Sequence, residues 1–260
     1  YYEHVLLTAK KIYDKQSEGK ALAALGNAYS ALKQAERAID YHKQALTISR
    51  EIGDRNGESL YRAYIGHTLC DLLKWQEAAV WYQEALQIAD EIQSREAQSE
   101  ASYGQTLTHL MANELVMAAQ SSTIAKNHEF IPNSANVLVL QGVIQLRLDQ
   151  PTAAQESFTM AIAHANGLLG QTPELYAALD TVGLAQAGLA LCGASNPVFV
   201  KNRVAEHVTT AIESYSAARA ITSAPGIVRR VLRLFDALAV VDTEGVLTDV
   251  RAAAAGEEAV

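Results

Sequence analysis

The sequence predicts an all-α fold, a right-handed α-solenoid of antiparallel helix pairs closed by a C-terminal capping helix. Three observations predict it. Glycine recurs at Gly26, Gly66, Gly104, Gly142 and Gly183, at intervals of 40, 38, 38 and 41 residues, and a fixed period of this size marks a repeat array. Small and large residues follow at matched offsets: Ala38, His42 and Ala45 after the first glycine, Ala78, Tyr82 and Ala85 after the second, Ala154, Phe158 and Ala161 after the fourth. The composition favours helix, with 49% hydrophobic and 19% charged residues and only 5 prolines.

The physical sense of the pattern is close packing. A glycine on one helix and alanines on the next remove bulk where two backbones cross, and the ring fills the space beside them. Residues 1–17 align with 41–57, Tyr1 with Tyr41, Leu6 with Leu46, Ile12 with Ile52 and Asp14 with Asp54. The chain therefore opens on the second half of a unit, and a piece of a longer protein is expected.

The first full unit spans residues 18–57. Leu22, Leu25, Gly26 and Tyr29 form one stripe of its first helix, Gly53 is placed to stop its second, and Asp54 to cap the helix that follows. The second unit spans 58–95, with Trp75 and Trp81 expected to pack between neighbouring units. The third, 96–133, fits if two residues are inserted in its turn, giving Gly104, Ala118, Ser122 and Ala125. The fourth spans 134–174.

The fifth unit, 175–223, places Gly183 against Ala211, Tyr215 and Ala218, with "GASNPVFVKN" and residues up to 204 as an enlarged loop. Residues 224–260 supply the cap and tail. In "PGIVRRVLRLFDALA" the apolar side is Ile227, Val228, Val231, Leu232, Phe235 and Leu238, and Arg229, Arg230 and Arg233 form a solvated face. An array needs such an end, because its last repeat would otherwise leave an apolar face in water. All of this forms a single domain.

The formal charge of −8 excludes nucleic-acid binding by the surface as a whole. Cys70 and Cys192 lie 122 residues apart, without a CxxC, and are expected as buried hydrophobes in a reducing compartment. Neither a long apolar run nor the layout of a signal peptide is present, so a cytoplasmic location without membrane contact is expected. GxxxxGK[ST], GxGxxG after a strand, HExxH and GxSxG are all missing. The adjacent pair His128 and Glu129 points apart on a helix. No catalytic residue, metal ligand or cofactor is therefore expected.

At the glycine, alanine, ring and alanine positions of units one, two and four, the chain resembles the tetratricopeptide-repeat (TPR) family, with units three and five degenerate. The period near 40 and the "EIGDRNGES" connector resemble its long-repeat branch, found in signalling scaffolds and in the sensor regions of STAND-type signal-transduction ATPases. The resemblance implies a concave groove lined six and three residues before each glycine and one and four after it. Carried over, these positions are Lys20, Ala23, Asn27 and Ser30; Leu60, Ala63, His67 and Cys70; Gln98, Ala101, Gln105 and Thr108. The fourth unit gives Asn136, Val139, Val143 and Leu146, and the fifth Ala177, Asp180, Leu184 and Ala187.

The polar half of this lining, Asn27, His67, Gln105 and Thr108 with Tyr64 and His109 beside them, is the candidate binding site. The apolar half is expected under the last helix or the long loop unless it too binds. The carboxylate clamp of chaperone adaptors would need cations and asparagines where this chain has Ala23, Asn27, Tyr64, Gln98 and Ser102, so only one position matches. What the resemblance implies is a non-catalytic recognition domain whose partner is a protein, a peptide or a small inducer. It implies the sensor arm of a STAND-type signalling protein, contacting the upstream domains of the same polypeptide, or alternatively a constitutive scaffold for protein assembly.

Overall fold

Capping chemistry sets the helix ends. Asp14 and Asp54 each accept a hydrogen bond from the backbone amide three residues on, Ser17 at 3.0 Å and Gly57 at 2.9 Å, which satisfies amides that a helix start leaves without intrahelical partners. Gly53 ends its helix at φ 72°, a left-handed conformation open to a residue without Cβ. The computed structural model describes residues 1–127, 131–194 and 201–257. His128 and Glu129 and the middle of the expected fifth-unit loop lie outside them.

The described residues form thirteen helices and no strand, so the fold is all-α and built of helix pairs in solenoid fashion. In chain order they are α1 (Tyr2–Lys11), α2 (Lys15–Ala31), α3 (Ala35–Ile52), α4 (Arg55–Asp71), α5 (Trp75–Ile92), α6 (Arg95–Met111) and α7 (Leu115–Asn127). They continue as α8 (Ile131–Arg147), α9 (Pro151–Gln171), α10 (Tyr176–Ala194), α11 (Lys201–Ile221), α12 (Pro225–Ala239) and α13 (Thr248–Ala255). Helix reaches further into the fifth-unit loop than the sequence suggests, since Gly193 and Ala194 end α10 and Lys201 begins α11.

The chain divides into two compact units, Tyr1–Thr108 and His109–Val260. In the first, α1 packs on α2, α2 on α3, α3 on α4 and α4 on α5. One apolar cluster runs through it, from Leu22 and Leu46 to Ile65, Tyr82 and Ala101, with Trp75 and Trp81 packed on its margin. In the second, α7 packs on α8, α8 on α9, α9 on α10 and α10 on α11.

The glycine-to-ring packing is present in both units. A Cβ on Gly26 would stand 2.4 Å from the His42 ring, on Gly66 2.7 Å from Tyr82, on Gly142 2.5 Å from Phe158 and on Gly183 2.9 Å from Tyr215. All four rings are fully buried. Three of the rings also meet the following pair: Tyr82 lies against Gly104, Phe158 against Gly188, and His42 stands 5.6 Å from the Tyr64 ring.

The third pair differs from the sequence expectation. Its turn is no longer than the others, residues 112–114 against 32–34 and 72–74, and α2, α4 and α6 start at residues 15, 55 and 95. The true step is 40 residues, which puts Thr106, not Gly104, where Gly66 stands. Thr106 is buried in the first unit and Ser122 in the second. Gly104 is instead the relief for the Tyr82 ring of the preceding pair.

The short turns share a left-handed middle residue: Lys33 (φ 60°), Leu73 (φ 61°), Asn113 (φ 61°) and Asp149 (φ 57°). Asparagine and aspartate tolerate this conformation, whereas other L-residues pay for the crowding of Cβ. Leu73 is 56% exposed and gains little from its side chain. Leu73→Asn, copying Asn113, is expected to stabilise the protein by about 0.5 to 1 kcal/mol, read as a higher urea midpoint at unchanged slope.

Candidate recognition surface on the first helices

The polar candidates of the first unit lie on α2, α4 and α6. Asn27 is exposed on α2. On α4, Tyr64 is half-buried, 5.6 Å from His42 and 6.3 Å from Tyr61 between ring centroids. His67, one position past Gly66, is held at both ring nitrogens: Nε2 stands 2.7 Å from Glu100 Oε1, and Nδ1 2.7 Å from the Tyr82 hydroxyl. The same hydroxyl lies 3.6 Å from Cys70 Sγ. A hydrogen-bond chain thus runs from the surface of α6 to the centre of the packing ring.

The other candidates are placed differently. Gln105 is half-buried. Thr108 is buried and its hydroxyl donates to the Gly104 carbonyl at 2.8 Å, so its polarity is spent within α6. His109 belongs to the second unit, where Nδ1 stands 2.7 Å from Glu114 Oε2.

The structure brings Tyr64 and His67 together with two residues that the sequence reading passed over, Glu100 and Tyr103; the His67 and Tyr103 rings are 6.3 Å apart. Counting from the turn finds them. Six and three residues before Thr106 stand Glu100 and Tyr103, the groove positions of the third unit in the observed register. In that register, the position at which the carboxylate clamp needs a lysine holds a carboxylate.

Burial raises the Glu100 carboxyl, but the hydrogen bond and charge of His67 outweigh it and leave Glu100 below the usual value. The Tyr64 phenol goes the other way, pushed up by burial and then by the negative charges of Glu100 and Glu96. Each shift keeps the group in its ordinary state near neutrality, so this surface presents a carboxylate beside neutral rings.

The corresponding face of the second unit is largely closed, although Ala177 is exposed and Asn136 half-buried. Val139, Val143, Leu146, Leu184 and Ala187 are buried, and α12 packs on both α8 and α10. The last helix therefore lies over the first helices, while α13 packs on α11 and finishes the stack. Asp180 is taken by Arg219, whose Nη2 donates to Oδ1 at 2.5 Å and Oδ2 at 2.6 Å. Burial pushes the Asp180 carboxyl up to about 6 against the pull of Arg219. Cys70 and Cys192 are buried and form no disulfide among the described residues. Among the described residues, no helix is long and apolar enough to cross a membrane and no group of three metal-binding side chains occurs.

Residues 21–55 match the tetratricopeptide-repeat family. Among solved structures, the chain is similar to aspartyl phosphate phosphatase F from Bacillus subtilis, with a TM-score of 0.63, 13% identity, and coverage of 99% of this chain and 66% of that one. It is also similar to a MamA RS-1 ArsTM double mutant, with a TM-score of 0.49, 17% identity, and coverage of 79% and 97%. For YrrB, described as a TPR protein with an unusual peptide-binding site, the TM-score is 0.46, the identity 12%, and the coverage 78% and 95%. A comparison with curated proteins finds no match. The matched stretch is one pair, most of α2 with all of α3, and other pairs repeat its glycine-to-ring packing.

Proposed function

We propose that the chain is a non-catalytic recognition module that binds a protein or peptide through the first-helix face of its first unit, with Asn27, Tyr64, His67 and Gln105 as contact residues. One observation carries this reading. The first-helix face of the second unit is mostly buried and apolar, and α12 packs on its helices α8 and α10, whereas the face of the first unit keeps polar and aromatic side chains at least partly accessible. Exposed, convergent hydrogen-bonding groups on a repeat array are the usual place for a partner. Thr108, in the same unit, belongs to the proposal at its edge.

In the whole protein we read this module as the cytoplasmic sensor arm of a STAND-type signalling ATPase, supported by the 40-residue step of α2, α4 and α6. Such an arm works only if its ligand binds the active and inactive states unequally. A constitutive scaffold is the rival, and it needs no such difference.

The test is a selection from a displayed random-peptide library on the wild type, with enriched peptides titrated against a variant carrying Asn27→Ala, His67→Gln and Gln105→Ala. Binding is expected to weaken at least about tenfold, near 1.4 kcal/mol, with the helical circular dichroism retained. Equal affinity for the variant would remove the surface assignment.

A further inference from the structure

Glu100 is the charged centre of the first unit's first-helix face. An ionised carboxylate can only accept, so His67 Nε2 carries the proton of their 2.7 Å contact, while Nδ1 stands 2.7 Å from the Tyr82 hydroxyl. This arrangement uses Oε1 alone. Oε2 accepts no hydrogen bond from the described residues, and the Glu100 side chain is 28% exposed. Glu96, one helical turn earlier on α6, is exposed and pairs with no cation among the described residues. The nearby cation of α4, Arg62, is already engaged by Glu58 and Glu84. Lys20, exposed on α2, is the one cation among the carried-over positions of this unit.

Aromatic faces complete the surroundings. The Tyr103 ring on α6 lies 6.3 Å from His67, and Tyr64, three residues before His67 on α4, lies 5.6 Å from the His42 ring and 6.3 Å from Tyr61. A ring beside a carboxylate with one oxygen still open suits a cation with an apolar stem: the charge meets the oxygen, and the stem or guanidinium plane lies on the ring. An acidic peptide would instead bring its charge against Glu96 and Glu100 without relief. A metal ion is disfavoured because both nitrogens of His67 are committed.

Building on the recognition reading above, we propose that this constellation receives a basic side chain of the partner, a lysine or arginine set against Glu100 Oε2 and Glu96 with its stem on the Tyr64 and Tyr103 rings. Arginine fits best, since its flat fork meets carboxylate and ring together.

The probes are a labelled ten-residue peptide alternating Arg and Gly and its counterpart alternating Glu and Gly, followed by fluorescence anisotropy at low and physiological salt. The wild type is expected to bind the Arg peptide at least tenfold more tightly than the Glu peptide. Glu100→Gln, which keeps the His67 contact in shape, is expected to lose about tenfold in that affinity, and Glu51→Gln, an exposed carboxylate on α3, less than twofold. Equal losses in the two variants would mean diffuse attraction to an acidic protein and would overturn the proposal, as would equal binding of the Glu peptide. The library peptides separate the two readings. Peptides that need Asn27, His67 and Gln105 but carry neither Lys nor Arg would overturn the basic-ligand proposal and leave the surface standing; peptides indifferent to that variant would remove the surface, and this proposal with it.

Discussion

Gly104→Ala is expected to destabilise the protein by about 3 kcal/mol, among the largest single-residue effects in the chain. The added Cβ would stand 2.1 Å from Tyr82 Cε1 and 2.3 Å from Cζ. The ring has nowhere to retreat, because its other side lies on Gly66 and its hydroxyl is tied to His67. Relief must therefore come from a shift of α6 against the preceding pair, which the close packing of the cluster resists. Gly170→Ala is the control. Nothing lies within 4 Å of a Cβ there, and alanine inside a helix is favoured over glycine by about 0.5 to 1 kcal/mol, so this variant should be at least as stable as the wild type. Urea unfolding of both checks the pair. Because Tyr82 also positions His67, Gly104→Ala should weaken partner binding as well, linking the packing of the core to the surface it supports.

Glu58→Ala is expected to cost about 3 to 5 kcal/mol. Glu58 receives Arg50 at 3.1 Å, Arg55 at 2.6 Å and Arg62 at 2.9 Å, and Arg62 is itself buried. Removing the carboxylate leaves a guanidinium in the interior whose remaining carboxylate partner is the half-exposed Glu84 at 3.2 Å, beside the backbone carbonyl of residue 58, also at 3.2 Å. Burial raises the Glu58 carboxyl, but its three arginine partners outweigh this and hold it below 4.5. A carboxylate whose folded pKa is depressed adds stability above its unfolded pKa and loses it as pH falls through the folded one. The wild type should thus lose stability below about pH 4.5, and Glu58→Ala should show a shallower loss over the same range. The latch repeats at the matching position 40 residues earlier, where Glu18 meets Lys15 at 3.1 Å and Lys10 at 4.0 Å. Forty residues later its polarity is exchanged, with Gln98 donating to Asp90 at 2.8 Å.

What the sequence discloses follows from which contacts are local. Gly26 with His42, Gly66 with Tyr82 and Gly142 with Phe158 lie within single pairs joined by three-residue turns, so periodicity alone exposes them. The Asp54 cap and the left-handed Gly53 are legible for the same reason. The third pair misleads because Gly104 falls near the expected interval while serving the ring of its neighbour. That error moved the carried-over groove positions by two residues, toward Gln105 and Thr108 and away from Glu100 and Tyr103. The contact of Glu100 with His67 depends on the stagger between neighbouring pairs, which no repeat pattern encodes. The apolar stripe of α12 announces burial but not the surface that receives it; only its return onto α8 and α10 explains why Val143 and Leu184 are closed off.

The central claim is that complementary volumes on paired helices, a missing Cβ against a ring, hold the array and fix its recognition surface. A double-mutant cycle at Phe158 and Gly188 tests it in the second unit, where a Cβ on Gly188 would stand 2.3 Å from the ring. Gly188→Ala should cost about 2 to 3 kcal/mol alone and at least about 1 kcal/mol less in a Phe158→Ala background, where the ring no longer competes for the space. Costs that simply add, within about 0.5 kcal/mol, would contradict the account.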